Sequence, residues 1–358
     1  MPDTGDSVAI MYSYEQGAQR DGNTGRVGVQ VMGPNDGYVA QTSTDVSTFW
    51  ADRNRLRLGA CLKAADNRND NTIPRRAMPE VRRMCTLPLK TAWKPYLYVV
   101  SIACAMCSRA RPRWSRCDTF VVQELFCSNV AQGFQATETE HQGHIVDDPG
   151  SCPGGLRASV PYASWSFNIR PLYGWGSAGE QQLSTAGWLA ALPVLEPHWQ
   201  VLMAHGVATG YVQWGPEKRI ELKDAPAYAE KNWGQGFPKK WAWAQCNTFA
   251  GQPQLAVTAV SAIRTVVTPA VQETLGMIGI HYNGEFIELA PYKGPMNWEV
   301  APWGSWRFWA KTDKYEAVLT ARCENSDGAV LRAPLGAAGL APACKDTFAG
   351  AQTYATSC

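Results

Sequence analysis

The 358-residue chain is predicted to be all-β and antiparallel, and three features carry that expectation. Apolar and polar side chains alternate with a period of two through successive short segments. Gly, Asn and Asp punctuate those segments, and Asn283–Gly284 lies between two alternating runs as a hairpin turn.

Taken in order, residues 7–42 (SVAIMYSYE, GRVGVQVMG, GYVAQTS) read as a meander of short strands. Residues 49–65 (FWADRNRLRLGACLKAA) read as a further strand, with Leu56 and Leu58 alternating with Arg55 and Arg57 so that one face is buried and the other solvated. From Met84 to about Val130 the pattern breaks. Cys85, Cys104, Cys107, Cys117 and Cys127 crowd a stretch without a clean strand or helix period, expected to be an insertion on the surface outside the β core. Cys104 and Cys107 form one close pair of the kind a zinc ribbon uses twice, but Cys117 and Cys127 stand alone, so no metal site is expected.

After Gln132 the alternation resumes. His141 and His144 in HQGHIVDD are three apart and on a strand face opposite sides, which favours separate hydrogen-bonding or pocket-edge roles over shared metal ligation. WSFNIRPLYGWG (165–176) is a strand entering a Gly-rich turn, with Tyr173 and Trp175 placed to line a cavity or to pack. VLMAHGVATGYVQW with KRIELKDA forms one hairpin, and WAWAQCNTF with QLAVTAVSAI another, with Trp241 and Trp243 on one face. From about residue 266 the pattern restarts with MIGIHYNGEFIELAPY, followed by SWRFWAKTD and YEAVLTARCE. Two β domains are therefore expected, 1–265 and 266–358, the second supplying fewer than the roughly eight strands that close a barrel.

The bulk numbers exclude several classes. A formal charge of +2 without a basic stripe argues against a nucleic-acid partner, so binding rests on shape and apolar contact. Eleven cysteines, an odd number without an extracellular framework, point to free thiols in a reducing compartment. The best apolar run, LYVVSIACAM at 97–106, falls short of the roughly 20 residues of a membrane helix. The opening residues PDTGDSVAIMYSYE carry no charged n-region, apolar h-region or Arg-rich leader, so no targeting information is read from them. No Gly-rich nucleotide loop or Walker motif is present to hold a cofactor.

Residues 196–249 concentrate the chemistry. His198, Asp224 and Glu230 lie among Trp199, Trp214, Trp233, Trp241 and Trp243. Tryptophans build either a dense core or a rigid apolar pocket, and a carboxylic acid lodged in such a pocket has its pKa raised and can stay protonated near neutral pH.

The runs RPLYGWG (170–176), STAGW (184–188), EPHWQ (196–200), DAPAYAEKNWG (224–234), FPKKWAWAQCN (237–247) and WEVAPWGSW (298–306) resemble the tocopherol cyclase family. In order and spacing they cover most of the chain from Gly133 onward, and GPNDGY (33–38) and FWADRNRLRLG (49–59) resemble the family's first strands. The resemblance implies a lipocalin-like fold in two domains, a plastid setting at the plastoglobule, and peripheral contact with lipid bodies or membranes. It implies a prenylated benzoquinol as substrate and no cofactor: the prenyl alkene is protonated to a tertiary carbocation that the neighbouring phenolic oxygen captures as a chroman ring.

Such a reaction needs a strong proton donor in a dry pocket. Glu230 is the first choice, because on a strand Tyr228 shares its face and can hydrogen-bond the carboxyl; Asp224 is second. A salt bridge to Lys231, Lys239 or Lys240 is the competing reading of Glu230. His198 is expected to deprotonate or orient the phenol with Glu196 fixing its tautomer, or else to serve as a hydrogen-bonded wall residue. Trp199, Trp233, Trp241, Trp243 and Tyr173 are expected to line the substrate site, their π faces against the cation, or to be core. Two readings stand beside the enzyme: a non-catalytic carrier of an apolar isoprenoid, and an inactive fragment of the cyclase.

Overall fold

The computed structural model describes residues 6–15, 25–52, 56–63, 97–105, 132–148, 158–191, 197–234, 237–265, 272–300, 302–323, 328–334, 340–349 and 351–357. Among them there is no α-helix, only 3-10 turns at Pro34–Asp36, Val46–Thr48 and Gly187–Ala191, and every strand pair is antiparallel. The all-β expectation holds.

Eleven strands form one sheet: β1 (Ser7–Glu15), β2 (Arg26–Gly33), β3 (Gly37–Ser43), β4 (Trp50–Ala51), β5 (Arg57–Lys63), β6 (Leu97–Ala105), β7 (Gln132–Thr137), β8 (Glu140–Val146), β9 (Tyr162–Tyr173), β10 (His198–Trp214) and β11 (Lys218–Gly234). Their order is β3-β2-β1-β6-β11-β10-β9-β8-β7-β5-β4. The sheet curls so that β3 returns to β8. Tyr38 N donates to Ser159 Oγ at 2.9 Å, Ser159 N to Tyr38 O at 2.7 Å and Val146 N to Gln41 Oε1 at 3.1 Å, so side chains and a loop join the β3 edge to the end of β8 that lies beyond its pairing with β7. The enclosed volume is filled by Val29, Val31, Phe134, Trp165 and Phe167, with Tyr12 stacked on Phe134 at 4.7 Å and accepting from Trp165 Nε1 at 3.1 Å. His141 is buried in this core against Phe167, and its burial lowers its pKa to about 3; His144 faces away and meets Tyr162. The two histidines do occupy opposite faces.

One expectation needs correction. The stretch 84–130 is not wholly outside the β core, because β6 lies between β1 and β11, with Ile102 registered on Ile10 on one side and on Ala229 on the other. The run LYVVSIACA carries no period of two because it is continuously apolar, and that texture equally suits a strand inside a sheet. Cys107, Cys117 and Cys127 lie outside the described residues.

The remaining strands are β12 (Lys240–Cys246), β13 (Ala256–Thr265), β14 (Gln272–Tyr282), β15 (Glu285–Leu289), β16 (Met296–Val300), β17 (Ser305–Lys311), β18 (Glu316–Arg322), β19 (Ala329–Pro334), β20 (Leu340–Asp346) and β21 (Ala351–Ser357). β12 to β15 make one sheet in sequence order, so residue 265 ends a strand within it; β16, β17, β18 and β21 make another. The β14–β15 turn is the expected Asn283–Gly284 pair, both residues at positive φ (50° and 85°). The two sheets enclose a second core in which Ala242, Ala244, Ile278 and Ile280 meet Phe308 and Leu319. The hairpin β19–β20 folds back onto β2: Gln30 Nε2 donates to Arg332 O at 2.7 Å, Arg332 N donates to Gln30 Oε1 at 2.9 Å, and Asp36 accepts from Phe348 N at 2.9 Å.

Candidate functional site

β11 serves two environments by alternation. Ala225, Ala227 and Ala229 point into the core of the large sheet, whereas Tyr228 and Glu230 emerge on its outer face toward β12–β14. β12 does the same in mirror sense, with Ala242 and Ala244 in the second core and Trp241 and Trp243 turned toward Glu230. A third cluster fills part of the gap, formed by Trp175, Val201, Ala204, Tyr228 and Met277. Gly279 makes room for it, since a Cβ there would come within 2.3 Å of the Trp175 ring.

What remains of the gap is a cavity of about 1030 Å³, its open mouth included. Its wall is mostly apolar: Leu189 and Ala190 from the 3-10 turn, Phe237, Trp241 and Trp243 around β12, Val260 from β13, and Leu275 and Met277 from β14. His198, Trp199 and Asn232 complete it around Glu230, the one carboxylate on the wall among the described residues.

Glu230 is 8 % exposed and is held by neutral donors. Trp199 Nε1 and Tyr228 Oη each donate to Oε2 at 2.8 Å, and Asn232 Nδ2 donates to Oε1 at 3.2 Å. Among the described residues no cation pairs with it. Lys231 is drawn instead over Trp233 (5.2 Å) and Lys240 over Trp298 (5.6 Å), so the salt-bridge reading does not describe this carboxyl. Burial raises its pKa, and the hydrogen bonds from Trp199, Tyr228 and Asn232 pull back against that rise. Burial and the neighbouring carboxyl push the Tyr228 phenol well above its ordinary value, so it stays a donor. Among the described residues the buried Trp243 N–H has no hydrogen-bond partner within range, yet it lies near enough to both groups to favour their charged forms.

The other sequence candidates divide. Trp199, Trp241, Trp243 and His198 stand on the cavity wall. Tyr228 stands behind Glu230 rather than on the wall. Trp233 does not line the cavity: it has the opposite strand parity from Glu230 and stacks on His198 at 5.2 Å. Tyr173 is also removed from it, sandwiched between His205 at 5.7 Å and His281 at 4.7 Å. Asp224 is corrected: it is exposed, at a left-handed φ of 54° where the β10–β11 register shifts, and takes no part in the site. Glu196 lies outside the described residues. Sequence reasoning missed Asn232, although its position two residues beyond Glu230 on one strand gives it the same face. It also missed Leu275 and Met277, which only the pairing of β13 with β14 brings to the wall.

Residues 1–82 and 100–355 match the family model described as tocopherol cyclase-like. Residues 83–99 therefore stand outside the match, whereas the rest of the supposed insertion stands within it. Over 363 aligned positions the chain is 37% identical to the Oryza sativa subsp. japonica protein named "Probable tocopherol cyclase, chloroplastic" and 36% identical to the Zea mays "Tocopherol cyclase, chloroplastic". Each alignment covers 98% of this chain and 66% of the relative, so the chain spans just under two thirds of the length of these relatives. Among solved structures, an AttH-type protein of Nitrosomonas europaea aligns over 90% of this chain and 81% of its own at 9% identity, with a TM-score of 0.34, a likeness that carries no argument.

Proposed function

The chain belongs to the tocopherol cyclase-like family, and from that premise we propose that the Glu230 cavity closes the chroman ring of a prenylated benzoquinol. The observation that carries the reading is a buried carboxyl, ringed by neutral donors, on the wall of an apolar cavity. Among the described residues no cation pairs with it, and burial favours its neutral form, which suits an acid rather than a binding charge.

Because Oε2 takes both short hydrogen bonds, the transferable proton belongs on Oε1. It passes to the less substituted carbon of the prenyl alkene, leaving a tertiary carbocation. The faces of Trp241 and Trp243 offer that cation an interaction worth about 2 kcal/mol in a desolvated site. The phenolic oxygen adds to the cation, and its proton leaves to Glu230 or to His198 on the same wall. As Glu230 loses its proton, Trp199, Tyr228 and Asn232 are already aimed at the carboxylate, so no donor has to reorganise as charge develops. No electrons change hands.

The named relatives are chloroplastic, which supports a plastid setting, and so apolar a cavity supports loading from plastid lipid bodies or membranes. The test is conversion of a phytyl benzoquinol by the chain and by Glu230→Gln, with binding measured separately. Glu230→Gln should lower kcat about 10²- to 10⁴-fold with little change in affinity. Binding of the quinol without ring closure by the parent chain would turn the reading into that of a carrier.

A further inference from the structure

Apart from Glu230, little on the cavity wall can react. Asn232 is spent on the carboxyl, Ser261 places its hydroxyl 3.9 Å from the Met296 thioether on the side of the second core, and His198 is stacked flat on Trp233. Among the described residues of the wall there is no thiol, no amine and no second carboxylate, so the fate of the cation depends chiefly on what the ligand brings. If a phenolic oxygen lies beside the alkene, it closes the ring. If that oxygen is absent or capped, the way back is loss of a proton to the carboxylate that supplied it, which Trp199, Tyr228 and Asn232 hold in place.

Resting on the reading of Glu230 as the proton donor, we infer that the cavity has a second activity: it isomerises, and exchanges protons with, the trisubstituted alkene of a prenylated arene whose neighbouring oxygen is capped as an ether. In the forward step the Glu230 O–H bond breaks and a C–H bond forms at the less substituted alkene carbon. In the return step a C–H bond on one of the three carbons attached to the cationic centre breaks. Its electron pair makes the new C=C bond and the proton returns to the carboxylate. Atoms and electrons balance without an oxidant, a reductant or water as reactant. The prenyl chain meets the apolar wall in the ether as it does in the free quinol.

The experiment incubates the 358-residue chain in deuterated buffer with the dimethyl ether of a phytyl benzoquinol, and in parallel with the free quinol. Products are read by mass spectrometry and deuterium NMR. The expected result is deuterium at the less substituted alkene carbon of the recovered ether, and at the methylene that carbon becomes in the double-bond isomers, formed about 10²-fold or more faster than with Glu230→Gln. Ring closure of the free quinol with an ether that is recovered unlabelled, is recovered as a tertiary alcohol, or fails to compete with the quinol overturns the inference and leaves the cyclase reading standing. Labelling of the ether without ring closure of the quinol upholds the exchange chemistry and removes the cyclase reading. Neither labelling nor closure removes both.

Discussion

On the proposed reading of Glu230 as proton donor, Tyr228→Phe isolates the hydroxyl that tunes the acid. The ring remains packed beside Trp243, 5.8 Å between centroids, and only the 2.8 Å bond to Glu230 Oε2 is lost. A hydrogen bond to a charged group is worth about 1.5–3 kcal/mol, a stabilisation the carboxylate receives and the neutral acid largely does not. If the carboxylate is fully formed at the transition state, the loss corresponds to about 10- to 100-fold in kcat; if half formed, to about 3- to 10-fold. The pH dependence gives a second readout. Glu230 must be protonated to act, so activity falls as pH rises through its raised pKa. Removing a donor to the anion raises that pKa further, so the falling limb in Tyr228→Phe should move to higher pH while the plateau drops. The assay is a kcat and KM profile against pH with a phytyl benzoquinol. A raised KM at unchanged kcat, or a lower plateau with an unmoved limb, refutes the reasoning and makes Tyr228 a packing residue.

Three further outcomes are expected. Asp224→Asn should leave kcat and KM within twofold of the parent, because this side chain is exposed in a bulge; a loss above about 10²-fold in steady-state kinetics would restore it as the acid. Ile102→Pro removes a ladder donor between β1 and β11 and should cost about 3 kcal/mol or more in chemical denaturation, whereas unchanged stability would return the stretch to the surface. Asp346 is raised by burial, and by the nearby Asp36 and Glu230, from 3.8 to about 6, so the folded state holds its proton more tightly than the unfolded state. The stability this provides is complete below pH 3.8 and is lost as pH rises to about 6; Asp346→Asn should flatten that slope in melting curves, and an unchanged slope counts against it.

Where alternation and turn chemistry decide structure, the sequence was legible. The Asn283–Gly284 hairpin and the shared face of Trp241 and Trp243 needed only a period of two and a turn requiring positive φ. The same period joined Tyr228 to Glu230 and, read strictly, excludes Trp233. It failed wherever register breaks. The β10–β11 pairing shifts near Val201, Met203 and Ala208, and a composition-based eye for carboxylates finds Asp224 without knowing that a bulge turns it outward. β6 was missed because a continuous apolar run has no period to detect. The wall contributed by β13 and β14 depends on a sheet packing across a gap, which no local pattern encodes.

The alternating duty of β11 ties two properties that most enzymes can vary separately. Slipping the strand by one residue would carry Glu230 into an interior built for alanines and present a methyl group to the cavity, removing the carboxyl from the wall and burying it unpaired in one event. A slip of register therefore costs stability and the arrangement of the cavity together. The bulge at Asp224 switches which parity faces the core, so between that bulge and Gly234 an exchange must respect the face each position serves.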